Sequence, residues 1–287
     1  MAGAGMKEIK TRIKSVESTK QITKAMELVS SSKFRKAKER AESVKPYFNT
    51  LYNTVQDIAE NTSNSKNVFL KERKVNKSCF IVIAGDRGLA GGYNSNILKA
   101  VIAHEHSNGA KVISIGKRSK DSFSKRGYEL MDSIGTVEEA TYEDANRVAQ
   151  RAMDAYKNGE VDEVNLVYTQ FISALTQEPK IVKLLPLTID NNDNDKEVKK
   201  SKSAVQYLPS ADSVLGYILP KYISGSVYGA IAESYASEQA ARRNAMESAT
   251  DNANEMISKL ELVYNRARQA AVTQEISEIV AGASSAQ

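Results

Sequence analysis

Four groups of residues could carry chemistry. The first is the glycine-rich stretch 85–92 (GDRGLAGG). It follows an apolar run, the position at which backbone amides can cradle a phosphate. Its spacing is neither GxGxxG nor GxxxxGK[ST], and the next apolar run ends in Gly116, Lys117 and Arg118, where a dinucleotide site wants an acidic residue. The stretch therefore reads either as a tight strand-to-helix turn or as a loop that turns Arg87 outward to an acidic partner. The second group is His104 and His106, the only two histidines. On a helix this interval points them to different sides. The third is Cys79, the single cysteine, which excludes an internal disulfide and a cysteine-cluster zinc site. The fourth is a basic run: residues 7–45 hold twelve Lys/Arg against five Asp/Glu. Such a run suits a solvated helix face, a nucleic acid or an acidic protein surface. There is no HExxH, no GxSxG and no Cys/His pair, so no enzyme is visible. Glu275 and Glu278, three apart, form a solvated acidic patch or a contact for basic partner residues.

These groups sit on elements of two kinds. Residues 1–60 contain one proline, Pro46, and no glycine after Gly5, and read as one very long helix. Residues 211–284 read as a second, with its main part placed after a break or first turn at Pro220. In it Ala249, Ala253, Met256, Leu260, Val263, Ala267 and Ala270 alternate steps of four and three, the spacing of a coiled-coil seam. Between the helices, residues 78–84, 111–116 and 164–171 are β-branched or aromatic runs that read as buried strands, with a further strand over 180–187. Helices are expected over 95–105, 117–125 and 142–157. The fold class is thus α/β: a long antiparallel two-helix coiled coil from the N- and C-terminal segments, with a central Rossmann-like α/β domain over 76–190. The polar stretch 190–204 reads as a surface loop.

At 1.5 Å per residue the first helix spans roughly 80 Å and the second roughly 95 to 110 Å. Antiparallel pairing leaves the second overhanging from roughly residue 263 to 271 onward. The overhang still carries Val272, Ile276, Ile279 and Val280, which need cover from another protein. On the first helix Ile9, Ile13 and Val16 lie on one side, with Ile22, Met26 and Val29 nearly opposite. One partner helix cannot cover both; the second stripe belongs to a partner or to the chain's own domain. No stretch is long and apolar enough to cross a bilayer and residues 1–6 are no secretory signal, so the chain is expected to stay where it is made.

Specific stretches resemble one family, the gamma subunits of F-type ATP synthases. Ile13, Lys14, Ser15, Val16, Thr19 and 21–29 (QITKAMELV) resemble the family's first-helix pattern, and 86–92 (DRGLAGG) resembles its DRGLCGG turn with Ala90 in place of cysteine. Residues 236–242 (ASEQAAR), 245–253 (AMESATDNA), 264–269 (YNRARQ) and Val272, Thr273, Gln274, Glu275, Glu278, Gly282 and Ala283 are similar to its second-helix and terminal signatures. The photosynthetic type's extra cysteine pair is missing, so thiol regulation is not expected. The resemblance implies a non-catalytic rotor turning in an alpha3-beta3 hexamer and meeting the epsilon subunit and the membrane c-ring. It implies no cofactor, no metal and no direct membrane insertion, and a peripheral place on the cytoplasmic face of the cell membrane within the F1 sector. Carried over residue by residue, the hexamer contacts are Lys24, Met26, Arg242, Arg268, Gln269, Thr273 and Glu275, with Arg87 a further possible contact. The rival classes are a basic nucleic-acid binder, which lacks stacking aromatics (the basic run has only Phe34), and a small oxidoreductase, which lacks the acidic ribose partner. No nucleic-acid partner is expected.

Overall fold

The structure, a computed structural model, describes residues 2–60, 67–71, 73–187, 207–208 and 210–285. The polar stretch expected as a surface loop at 190–204 lies outside the described residues. The elements run in the order α1 (Ala2–Glu60), a 3-10 turn (Val68–Leu70), β1 (Ser78–Ile83), α2 (Tyr93–Ile102), β2 (Lys111–Ile115), α3 (Lys117–Lys125), β3 (Glu129–Ile134), α4 (Tyr142–Lys157), β4 (Glu163–Phe171), β5 (Gln177–Leu185) and α5 (Ala211–Ser285). The chain divides into two compact units, residues 32–241 and residues 1–31 with 242–287. The boundary falls inside both long helices.

The larger unit is built on a sheet ordered β3-β2-β1-β4-β5, parallel except for β5, which runs antiparallel to β4. Every residue of β1 is buried, as a central strand covered on both faces requires. Its alternation sorts the core. Cys79, Ile81 and Ile83 face a layer made of α4, the 55–59 stretch of α1 and the 215–231 stretch of α5, while Phe80 and Val82 face α2 and α3 with Ile97, Val101 and Phe123. Helix α4 begins with a capping box. Thr141 Oγ1 accepts from the Asp144 amide at 3.2 Å and Asp144 Oδ2 accepts from the Thr141 amide at 3.0 Å, which holds that carboxyl below its ordinary range. The face it buries, Ala145, Val148, Ala149, Ala152, Met153 and Tyr156, repeats at helical spacing.

Within this unit α1 and α5 pack together closely. Gly225 and Gly229, one turn apart, leave a notch filled by the Phe48 ring: a Cβ at either glycine would lie 2.5 or 2.8 Å from it. Tyr52 meets Tyr222 at 5.9 Å between ring centroids, and Arg40 donates to the Tyr228 hydroxyl and to the Ala140 carbonyl.

Three expectations change. A strand at residues 129–134 was not expected; ELMDSI mixes charged and polar residues with apolar ones because β3 is a half-exposed edge. Pro220 lies inside an unbroken α5 rather than at a break. One missing amide in a 75-residue helix removes a single hydrogen bond, and burial of Leu215, Leu219 and Ile223 on either side holds the backbone helical. The histidines lie beyond the end of α2, not on it.

Candidate functional site

The smaller unit is a two-helix, coiled-coil-like pair. Its register is fixed by Thr23 and Thr250, whose hydroxyls lie 2.8 Å apart while Thr250 also donates to the Met246 carbonyl. Counting one for one from that contact sets Lys20 level with Ala253, Val16 with Ile257, Ile13 with Leu260, Ile9 with Tyr264 and Met6 with Ala267. All of these are half-buried or buried while their neighbours are exposed. The seam on α5 is therefore Met246, Thr250, Ala253, Ile257, Leu260, Tyr264 and Ala267. This corrects the expected stripe: Met256, Val263 and Ala270 face outward, because two apolar stripes one residue apart share Ala253, Leu260 and Ala267. A polar pair in a helix seam costs stability and fixes register.

The same count runs α1 out at about residue 271 of α5. Beyond it Val272, Ile276, Ile279 and Val280 are exposed, Ile276 at 57% and Ile279 at 66%. On α1 Ile22, Leu28 and Val29 are exposed too, and Met26 is half-buried. Leu28 escaped the sequence reading because it sits beside the stripe rather than on it.

The residues carried over from the resemblance fall in two groups on this unit. Lys24, Met26 and Arg242 occupy the first. The Lys24 ammonium donates to both carboxylate oxygens of Glu27 at 2.8 and 3.0 Å, and that bond, with the charges of Glu247 and Asp251, raises it above its ordinary range. Arg242 is 8% exposed and engaged within the chain. Arg268, Gln269, Thr273 and Glu275 form the second, exposed group, roughly 30–40 Å farther along α5. There the Thr273 hydroxyl donates to the Gln269 carbonyl at 2.9 Å, and Arg268, Val272 and Glu275 share one side by their spacing. The basic run is partly spent inside the chain: Lys33 donates to Glu138 at 2.7 Å, Lys38 pairs with Glu42 at 3.6 Å, and Arg40 is held as described.

Arg87 belongs to the larger unit, exposed on the glycine turn. That turn is satisfied internally. Asp86 accepts from the Lys117 amide at 3.3 Å and the Val137 amide at 2.9 Å, while Asn94 accepts from the Gly85 amide and donates to the Arg87 carbonyl. Gly85 allows close approach of Glu238, whose buried carboxyl would stand 2.8 Å from a Cβ there. Two carboxylates at the strand ends repel phosphate, so the glycines serve packing.

At the opposite ends of the same strands, three polar side chains converge. Glu163, 2% exposed at the start of β4, accepts from Ser78 Oγ at 2.7 Å and Asn165 Nδ2 at 2.9 Å. Lys183 Nζ lies 3.4 Å and His106 Nδ1 3.3 Å from its oxygens. Burial pushes the Glu163 carboxyl up; the Ser78 and Asn165 donors, with the Lys183 ammonium and the neighbouring His106 ring, more than offset this and hold it below its ordinary value. His104 and His106 stand together, ring centroids 5.7 Å apart.

Among known proteins, the sequence profile of the family described as ATP synthase matches residues 5–286. The chain is 48% identical to an ATP synthase gamma chain of Alkaliphilus metalliredigens over 98% of each chain. It is 45% identical to an ATP synthase gamma chain, sodium ion specific, of Acetobacterium woodii over 97% of each. Among solved structures it is similar to a chain of the central stalk and c-ring of the Tetrahymena thermophila mitochondrial ATP synthase, with 27% identity, a TM-score of 0.59, and 79% of this chain and 99% of that one covered. A chain of the Euglena gracilis mitochondrial ATP synthase shares the fold at a TM-score of 0.68 and 17% identity, over 99% of this chain and 95% of that one. With a two-helix pair, a five-stranded α/β body and a matching sequence throughout, the chain belongs to the ATP synthase gamma-chain family.

Proposed function

We propose that the chain works as the central-stalk rotor of an F-type ATP synthase, and that its two-helix unit is the surface on which the alpha3-beta3 hexamer bears. The chain itself is non-catalytic and couples rotation to catalysis on its partners. The observation that carries the placement of the bearing is the end of α5: its pairing helix stops at about residue 271, yet Val272, Ile276, Ile279 and Val280 continue an exposed apolar face. A sleeve of apolar side chains would bury that face, and alternating Arg268, Gln269, Thr273 and Glu275 would give it angular preference through charge and hydrogen-bond matching. Lys24, Met26 and Arg242 form a second contact level, and Arg87 meets a partner separately. A turning shaft with unlike sides presents a different surface to each surrounding subunit in turn, and such differential contact is what can shift a conformational equilibrium there. The epsilon subunit, the c-ring and a peripheral position on the cytoplasmic face of the cell membrane complete this reading. No helix among the described residues is long and apolar enough to cross a membrane.

Reconstitution with alpha, beta and epsilon subunits tests it. Deleting residues 272–287 is expected to lower the yield of intact complex, and Met26→Lys to lower ions pumped per ATP hydrolysed more than it lowers assembly. Full assembly by the deletion variant would remove the bearing from this end of α5.

A further inference from the structure

We propose that His104, His106 and Glu163 form a three-ligand site for a divalent transition-metal ion, zinc by the chemistry of its donors, at the N-terminal ends of β1 and β4. One potential ligand atom from each residue lies within 4.8 Å of the other two. Ligands on a tetrahedral zinc stand about 3.4 Å apart, so a closure of at most about 1.4 Å, within reach of side-chain rotations, brings the three onto one ion. Two imidazoles and one carboxylate are a borderline donor set that favours zinc over magnesium or calcium, and three protein ligands leave a fourth position for water.

The surroundings are those of a prepared site. Glu163 is almost fully buried, and Ser78 Oγ and Asn165 Nδ2 both donate to Oε1, fixing the carboxylate. His104 packs edge-on against the Phe80 ring at 5.1 Å between centroids, and its Nδ1 carries a free lone pair that accepts the His106 amide at 3.3 Å; the ion would take that lone pair in the amide's place. His106 Nδ1 is itself buried, 3.3 Å from Glu163 Oε1 yet with no hydrogen bond aligned to it. A buried ring nitrogen aimed past a carboxylate without bonding to it is the arrangement an ion between them would complete. Exposed Glu105, 3.8 Å from the same nitrogen, adds negative charge at the rim. Lys183, 40% exposed and 3.4 Å from Glu163 Oε2, is the competing cation that must swing into water as the ion enters. Cys79 is buried and paired by contact with Met131 sulfur at 3.9 Å, so no exposed thiolate competes for the metal.

The test is competition of the purified full-length chain against a chromophoric zinc chelator, with cobalt as an optical reporter of coordination. The wild-type chain is expected to take up one zinc equivalent, and cobalt to give the intense visible bands of a four-coordinate ion. His106→Gln, at a half-exposed turn, is expected to weaken zinc at least about tenfold. Lys183→Met, on an edge strand, is expected to tighten it by removing the competing charge. Absence of zinc uptake, uptake unchanged in His106→Gln, or uptake no tighter in Lys183→Met overturns the site. The last arm stands even if the ligand variant folds poorly.

Discussion

The α/β body and the two-helix unit use apolar residues in opposite ways. In the body Phe80, Ile81, Ile83, Ile97, Phe123 and Tyr156 are fully enclosed, and its core draws on the sheet and every helix packed against it. In the two-helix unit the fully buried positions are mostly small or polar, Ser30, Thr250 and Ala253 beside Met246; its larger seam residues, such as Ile13 and Leu260, are only half-buried, and Ile22, Leu28, Ile276 and Ile279 face outward. One region encloses its apolar residues. The other has a narrow seam and leaves much of its apolar area exposed, the area that the proposed partner contact would cover.

The sharpest way to break this contrast is to truncate one large side chain in each region. Phe80→Ala is expected to cost about 3–5 kcal/mol and to lower the melting temperature of the body steeply. Ile276→Ala is expected to change the stability of the isolated chain by less than about 0.5 kcal/mol. Thermal and urea melts of the isolated chain check both. A large loss from Ile276→Ala would mean that the chain covers its own α5 end.

Amide exchange sharpens the same comparison at backbone resolution. Exchange is expected to be slowest in β1 and β4, intermediate along the seam from Met246 to Tyr264, and fast from Val272 to Ala281, where no partner helix remains. In an assembled complex the fast segment should become slow. Equal protection of that segment in both states would place its cover inside the chain.

The smallest expected effect lies in the body. Glu233 is largely buried, and burial pushes its carboxyl up against the opposing bond from the Phe171 amide, 3.0 Å from Oε1, and the charges of Lys45 and Lys180. A carboxyl raised on folding contributes least when ionised: its contribution becomes more favourable as pH falls through its folded value. Glu233→Gln keeps the acceptor for Phe171 and is expected to raise the melting temperature slightly at pH 7, with the gain shrinking as the pH is lowered toward 4. A loss at pH 7 would show that the attraction of Lys45 and Lys180 outweighs its desolvation.

What the sequence disclosed follows the same division. β1, β2 and β4 were legible because central parallel strands are continuous apolar runs, the first long helix because glycine is absent from residues 6–60, and the second because its apolar residues recur in steps of four and three. β3 was not, since an edge strand need not be apolar. The seam was located one residue off at Met256, Val263 and Ala270: a pattern of spacing cannot choose between two stripes when the exposed one is also apolar. Lys24, Met26 and the residues from Arg268 to Glu275 have no local chemical signature. A contact surface is defined by what it touches, and only the family resemblance pointed to these residues, whose role as a bearing is the reading proposed above. The convergence of His104 and His106 on Glu163 was hidden because the helix was expected to run to residue 105, three residues past its end at Ile102, whereas the chain turns from there through Ser107 to Ala110.

The Phe48 ring between Gly225 and Gly229 bears on how this molecule handles load. Two rods held by a greasy seam yield under twist by sliding lengthwise, and slippage wastes work as shear. A rigid ring seated in a gap one turn long acts as a key in a keyway. Moving it by the 5.4 Å of a turn would drive it toward the side chains of Lys221 or Glu233. Through that stretch the ring blocks one helix from slipping past the other, so a twist applied to one must be shared by both.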